Sequence, residues 1–259
     1  MNRTIIKIFG VEAETFLQNL ISNDIKLLQE NQGIYSLLLS PKGRYQFDFF
    51  VLKIADYFLI DIASISVQKF LDTLKYRKLI TKVSFEILEG YQVYNTTKKI
   101  EHSAASFADP RLPILGFRTI SQNPVETILL NYDELRFKNA IPESDDFTFD
   151  KSVPIEFGMD ELGALCYSKG CYMGQEFTNS AKNKLAIRKR VISISADFNL
   201  AKGDIIINKD GIQVGEIVAA SGNLGLALFS MQHANEDIFI NEKSVKKYIP
   251  DWIKIYTTE

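Results

Sequence analysis

The hydrophobic pattern of this chain changes character along its length. Residues 4–9, Thr-Ile-Ile-Lys-Ile-Phe, are an apolar run that reads as a strand. Ala13, Phe16, Leu17 and Leu20 then recur at helical spacing and give one apolar face. Residues 33–39 form a second strand, Pro41-Lys42-Gly43 a turn, and 45–49 the returning strand of a hairpin. Residues 57–62 make another strand. Ser64 reads as the N-cap of a helix carrying Val67, Phe70, Leu71 and Leu74, and a strand around 83–88 follows. Strand–helix–strand–strand–strand–helix–strand implies an α+β sheet with helices packed on one side, related to split βαβ arrangements.

Residues 91–185 are less regular. Residues 131–137 read as a helix, the acidic stretch 142–150 as a loop, and 174–182 as a helix entered through a turn. Beyond 186 the pattern becomes short β-rich runs at 187–195, 204–207, 213–220, 224–229, 238–240 and 245–249. They are punctuated by Gly203, Asp210-Gly211 and Gly222, which indicates a small barrel. The expected division is an α+β region over 1–185, with subdomains 1–90 and 91–185, and a β-barrel over 186–259.

Composition narrows the function classes. With 259 residues, 46% apolar and 24% charged, the chain can bury a sizeable core as a soluble globular protein. A net charge of −2 argues against a nucleic-acid coat or a polybasic membrane binder, so no direct nucleic-acid contact and no membrane contact are expected. There are two cysteines, Cys166 and Cys171, and two distant histidines, His102 and His233. That set is too small for a disulfide framework, a structural zinc site or an iron–sulfur cluster held by this chain alone.

Both cysteines flank or fall within the densest chemistry of the chain, Lys169-Gly170-Cys171-Tyr172-Met173-Gly174-Gln175-Glu176. Glycines bracket Cys171 and allow a turn that presents the thiol. Lys169 favours thiolate over thiol if the side chains lie close together, and the start of a helix at Gly174 adds its dipole. The competing reading of a lone cysteine is a small buried hydrophobe, and Cys166 fits it better. Glu176 serves either as a chemical group or as an ordinary first-turn acid, and Gln175 binds either a ligand or its own turn. Lys182, Lys184, Arg188, Lys189 and Arg190 cluster without an acid. Arg188 and Arg190 share a strand face, as a solvated edge or as an anion patch.

The octet resembles the K-G-C-Y-x-G-Q-E signature of the YgfZ family, which is similar to the T-protein of the glycine cleavage system. The resemblance extends over most of the chain: 16–25, the Ser40-Pro41-Lys42-Gly43-Arg44 hairpin, Asp109-Pro110-Arg111 with Leu115-Gly116-Phe117-Arg118, and Tyr132 to Glu143. It implies a T-protein-like folate-binding fold, a pseudo-duplicated ferredoxin-like α+β region, with a small C-terminal β-barrel. It further implies an accessory factor, not an enzyme in the ordinary sense, for assembling, repairing or transferring 4Fe–4S clusters to client enzymes, including radical-SAM enzymes that modify tRNA. Cys171 would be the working thiol and an iron ligand in a shared cluster, with Lys169, Gln175 and Glu176 around it. Asn23, Asp24, Arg111, Arg118, Arg136, Tyr172 and Arg188 would hold tetrahydrofolate or a related folate. The expected partners are iron–sulfur client enzymes or scaffold and carrier proteins. The expected compartment is a bacterial cytoplasm, or the mitochondrial matrix in a eukaryote. Two positions depart from the family pattern: Lys138 stands where some members have a pterin-binding Glu, and Ser180 where an Arg is usual. A lysine cannot accept hydrogen bonds from a pterin. Two alternatives stand beside the first reading: a folate-dependent aminomethyl or one-carbon transferase, and a folate-binding scaffold with a structural Cys171.

Overall fold

The computed structural model describes residues 2–29, 32–125, 130–183 and 187–254. They fall into two compact units, one made of residues 1–130 and 162–175, the other of 131–161 and 176–259. The chain therefore passes between units at 130/131, 161/162 and 175/176, while the boundary expected at 185/186 lies outside the described residues.

The first unit contains β1 (Arg3–Phe9), α1 (Ala13–Leu20), β2 (Gly33–Leu39), β3 (Tyr45–Ile54), β4 (Tyr57–Ala63), α2 (Val67–Lys78) and β5 (Ser84–Leu88). These strands form an antiparallel sheet in the order β2-β3-β4-β1-β5. A second sheet, β6-β8-β7, uses β6 (Gln92–Thr96), β7 (Ala105–Ala108) and β8 (Phe117–Ser121). The alternation of β3 explains how both of its faces are covered. Phe47 and Phe49 point one way, onto Phe70 of α2, with ring centroids 5.3 and 5.2 Å apart. Phe50 points the other way and meets Tyr35 at 4.8 Å and Phe107 of β7 at 6.4 Å. Gly33 makes that second approach possible, since a Cβ there would lie 2.4 Å from the Phe107 ring. Ser64 does not cap α2: it opens a 3-10 turn, Ser64–Ser66, and its hydroxyl bonds the Thr4 hydroxyl at 2.8 Å.

The second unit contains α3 (Tyr132–Lys138), most of α4 (Gln175–Asn183) and a closed barrel. Its strands are β9 (Lys189–Ser195), β10 (Ile205–Asn208), β11 (Gln213–Ser221), β12 (Leu224–Ser230), β13 (Ile238–Ile240) and β14 (Lys243–Tyr248), closed in the order β10-β11-β12-β9-β14-β13. Closure removes free sheet edges. Ile192, Ile194, Ile206, Ile217, Phe229 and Ile240 fill the interior. The acidic stretch at 142–150 is a loop, as expected, with one short 3-10 turn and two of its acids buried. Glu143 and Asp146 are buried: the Glu143 carboxylate accepts from Tyr132, and Asp146 accepts from the Glu143 N–H and from Arg136, each at 2.8 Å. Burial pushes the Asp146 carboxyl up to about 6, against the pull of Arg136.

Arg190 is also buried. Its guanidinium lies 2.6 Å from Glu161 and donates to the Ile155 carbonyl at 2.9 Å. Asp160 adjoins this pair. Burial, then its hydrogen bond with Glu161, raises Asp160 to about 7, while Glu161 stays below its ordinary value through Asp160 and Arg190 although burial opposes it. Below about pH 7 the pair therefore keeps its proton on Asp160, and the Glu161 carboxylate faces Arg190. A carboxyl raised from 3.8 to about 7 withdraws stability as pH rises through that window, because the unfolded chain ionises first. Asp160→Asn, which mimics the protonated acid, should stabilise the protein above pH 7 by on the order of 1–3 kcal/mol and change little below the window. Urea unfolding on either side of the window checks this; equal effects at both pH values would contradict it.

Candidate functional site

The site is built around the C-terminal end of α1. The last carbonyls of any helix lack intrahelical partners, and that end carries partial negative charge. Here Lys169 reaches them: its ammonium donates to the carbonyls of Gln18 at 2.5 Å, Ile21 at 2.8 Å and Asn23 at 2.9 Å. Three N–H donors meet three acceptors, so none remains for the Cys171 sulfur. The expected Lys169–Cys171 pairing is thereby corrected. Burial draws the Lys169 ammonium down to about 8, with the charges of Asp24 and Cys166 acting in the opposite direction.

Neighbouring residues stitch the same two segments together. The Ser22 hydroxyl donates to the Ala164 carbonyl at 2.6 Å, and the Cys166 N–H donates to the Ser22 carbonyl at 2.9 Å. Asn23 donates its amide protons to the carbonyls of Tyr35 at 2.8 Å and Gly163 at 2.7 Å, while its oxygen accepts from the Asp24 N–H. Asp24 accepts from the Lys26 N–H and the Gln18 amide, both at 2.9 Å, and so caps the short turn Ile25–Leu27. Asn23 and Asp24, expected at a ligand, are both spent on this junction.

Cys171 stands on the loop thus pinned, and its side chain is exposed. Cys166 is half-buried rather than enclosed, with its sulfur 3.5 Å from the Ser168 hydroxyl. Tyr172 is buried, and the Lys169 nitrogen lies 5.3 Å from its ring centroid. The two glycines beside Cys171 differ. Gly174 has φ +84°, and a Cβ there would sit 2.6 Å from the Ser40 carbonyl and 2.9 Å from Gly43 Cα. The octet therefore packs backbone-to-backbone on the Ser40–Arg44 hairpin, which joins two segments that the sequence only showed separately. Gly170 has open space around it. Gln175 donates to the Lys169 carbonyl at 3.3 Å and closes the turn, and Glu176 is an exposed acid in the first turn of α4.

The arginines expected to face folate are committed elsewhere. Arg111 clamps Asp109 through Nε at 2.9 Å and Nη2 at 2.7 Å. Arg118 donates to Asp61 at 3.0 and 2.6 Å, and Arg3 donates to the other Asp61 oxygen at 2.6 Å. All three guanidiniums lie over the Phe50 ring, at 3.9 Å for Arg118, 4.8 Å for Arg111 and 5.6 Å for Arg3. Nearby, Asp48 accepts from the hydroxyls of Tyr35 and Tyr45 at 2.9 and 2.7 Å. Burial alone would raise Asp61, but Arg118 and Arg3 outweigh it and hold the carboxyl below the usual range. In the second unit, Arg136 is buried and bound to Asp146 at 2.8 Å and Asp133 at 3.2 Å. Arg188 is exposed and precedes β9, while Arg190 is buried, so the two do not share an anion-binding face. Lys184 lies outside the described residues, as does the Lys182 side chain. Lys138 pairs with Glu134 on the surface at 2.5 Å.

Of the residues the resemblance assigns to a folate, Arg111, Arg118 and Arg136 are each bound to a carboxylate, Tyr172 is buried, and Arg188 is exposed. A cleft of about 570 Å³ opens in the second unit beside Lys151, Lys189, Lys202 and His233, and of the basic cluster only Lys189 lines it among the described residues. Asp61, Glu161 and the α1 carbonyls are the partners that sequence reasoning missed. Spacing carries no signal for them, because Asp61 lies 57 residues from Arg118 and Gln18 lies 151 from Lys169. Among the described residues, no group of three or more His, Cys, Asp and Glu is placed to hold a metal.

Two consequences are testable. Asp61→Asn leaves Arg3 and Arg118 buried against a weaker partner and should cost about 3–5 kcal/mol. Because the folded-state pKa is depressed, that contribution exists above the ordinary carboxylate pKa and disappears as pH falls through the lower folded value, so the variant's acid limb should be flatter in urea unfolding. Lys169→Met strands three carbonyls and should lose about 2–4 kcal/mol while speeding thiol labelling at Cys166 as the loop loosens. Wild-type stability and labelling in that variant would refute the capping role.

Comparison with known proteins agrees with this architecture. The family model "CAF17, C-terminal beta-barrel domain" matches residues 188–255. The mitochondrial iron–sulfur cluster assembly factor IBA57 homolog of Pyricularia oryzae is 23% identical, over 98% of this chain and 83% of that protein. Human mitochondrial IBA57 is 23% identical, over 96% and 83%, and the Dictyostelium discoideum homolog 27%, over 74% and 60%. The crystal structure of glycine cleavage system aminomethyltransferase T from Bartonella henselae superposes with a TM-score of 0.73 at 13% identity, covering 97% of this chain and 84% of that one. The chain thus has a T-protein-like fold, carries a CAF17-type C-terminal barrel and is similar over nearly its whole length to IBA57 proteins.

Proposed function

We propose that this protein is an accessory factor in iron–sulfur cluster assembly, helping to build, repair or transfer 4Fe–4S clusters to client enzymes, with Cys171 as its working thiol. The observation that carries the reading is an exposed cysteine on a loop anchored through Ala164, Cys166, Lys169 and Gly174. Similarity to proteins named as cluster assembly factors supplies the pathway.

A thiolate can ligate one iron, and a cluster usually takes four cysteines. A chain with two cysteines therefore contributes a ligand to a cargo whose remaining irons a partner holds. Rigid presentation favours that role, since little ordering cost is left when a partner docks. The proposed partners are client enzymes, radical-SAM tRNA-modifying enzymes among them, or scaffold and carrier proteins. The proposed compartment is the cytoplasm in a bacterium or the mitochondrial matrix in a eukaryote. A folate remains a proposed ligand of the T-protein-like fold, but no step is assigned to it, because the arginines that would greet it are bound to Asp61, Asp109 and Asp146. The fold also favours a tetrahydrofolate-dependent transferase as second reading. Lys138, paired with Glu134, opposes it.

Complementation of a strain lacking its own factor tests the proposal, with the activity of a 4Fe–4S client as readout. Wild type should restore the client and Cys171→Ala should not, although both fold equally well. Equal rescue would reduce Cys171 to structure; tetrahydrofolate-dependent turnover of an aminomethyl donor by the pure protein would move the assignment to the transferase.

A further inference from the structure

We propose that the first unit carries a peripheral docking tip for an anionic lipid bilayer, formed by Val11, Tyr76, Leu79 and Ile80. Single exposed apolar residues are ordinary, but these four are 88%, 82%, 83% and 98% exposed and belong to one place. The turns that carry them are tied together: the Glu12 N–H donates to the Lys82 carbonyl at 3.4 Å, and the Lys82 N–H donates to the Glu12 carboxylate at 2.7 Å. Gly10, at φ +121°, permits the approach, since a Cβ there would lie 2.4 Å from the Lys82 carbonyl. Tyr76 sits one helical turn before Leu79 and Ile80 at the end of α2.

The backbone is arranged to keep them in water. A helix ending on a left-handed residue normally uses Gly or Asn. Here Leu79 occupies the C-cap position at φ 47°, a disfavoured conformation for a branched side chain, and Ile80 follows it outward.

Charge selects the occupant. Lys75, Lys78 and Lys82 stand beside these residues in the chain, with Lys75 and Lys82 exposed and Lys78 half-buried. Arg77 turns inward to Gln46. Glu12 and Asp72 accept from the neutral Lys82 N–H and Gln68 amide and keep their charges, so the three lysines outnumber the two nearby acids by one. Apolar side chains flanked by ammonium groups match the boundary between anionic headgroups and acyl chains. A second copy fits less well. A standard interface takes about 800 Å² of complementary surface from each partner, whereas side chains this exposed protrude without neighbours. A bilayer accepts such a tip without a matching shape. No spanning helix is required for a contact of this kind, and among the described residues none is long and apolar enough to cross a membrane.

The test is co-sedimentation of the full chain with phosphatidylcholine vesicles, with and without phosphatidylserine, at low ionic strength. Binding should require the anionic lipid, weaken in high salt, and fall by about tenfold or more in the double variant Leu79→Ser, Ile80→Ser. All four tip residues are exposed, so the variant should fold, and Ile80→Trp gives an independent reading as a blue shift of its emission on vesicle addition. Absence of binding to anionic vesicles would overturn the proposal, as would binding that the double variant retains. Self-association abolished by the double variant, without lipid binding, would assign the tip to a second copy. Loss of client rescue without lipid binding would assign it to a protein partner. The outcome is independent of Cys171, which the variants leave untouched.

Discussion

One ammonium group holds the candidate site in place. Lys169 satisfies three carbonyls at the end of α1, where the helix has no donors of its own. Its position fixes the loop from 162 to 175 against the segment 18–24, and Ser22 and Asn23 extend the seam on either side. Gly174 then seats the far end of the loop on the Ser40–Arg44 turn. Cys171 lies between these anchors. Its exposure is therefore a property of the surrounding bonds and not of local slackness.

The same economy explains why the conspicuous charges are structural. A buried guanidinium without a carboxylate is costly, so Arg111, Arg118, Arg136 and Arg190 each have one within 3 Å. Phe50 supports three cations on its ring and lets them share a space too apolar for any of them alone. Within the signature the exposed side chains are those of Cys171, Met173 and Glu176.

Much of this was legible in the amino-acid order. The barrel strands follow from short β-branched runs cut by glycine, and each expected run matches a strand to within a few residues. The first sheet and both of its helices follow from periodicity. What spacing could not convey is pairing across distance. Lys169 looked like a neighbour for Cys171 because two positions separate them, but its partners lie 146 to 151 residues away. Arg188 and Arg190 looked like one face because strands alternate, but the strand begins at Lys189 and Arg190 turns to Glu161. The acidic stretch at 142–150 reads as a loop, but composition does not reveal that Arg136 and Tyr132 bury two of its carboxylates.

The interleaving of the two units has a consequence for how the protein is made. A ribosome delivers α1 early, yet the lysine that completes it arrives about 150 residues later, after residues 131–161 of the other unit have emerged. At typical synthesis rates of about 5–20 residues per second, the first sheet therefore waits many seconds with its helix end open. A stall or cleavage anywhere before the signature leaves a nascent first unit with no Lys169 and hence no closed seam. The segment that presents the thiol is also the one whose arrival permits the first unit to finish folding, so a truncated chain cannot display a properly built Cys171.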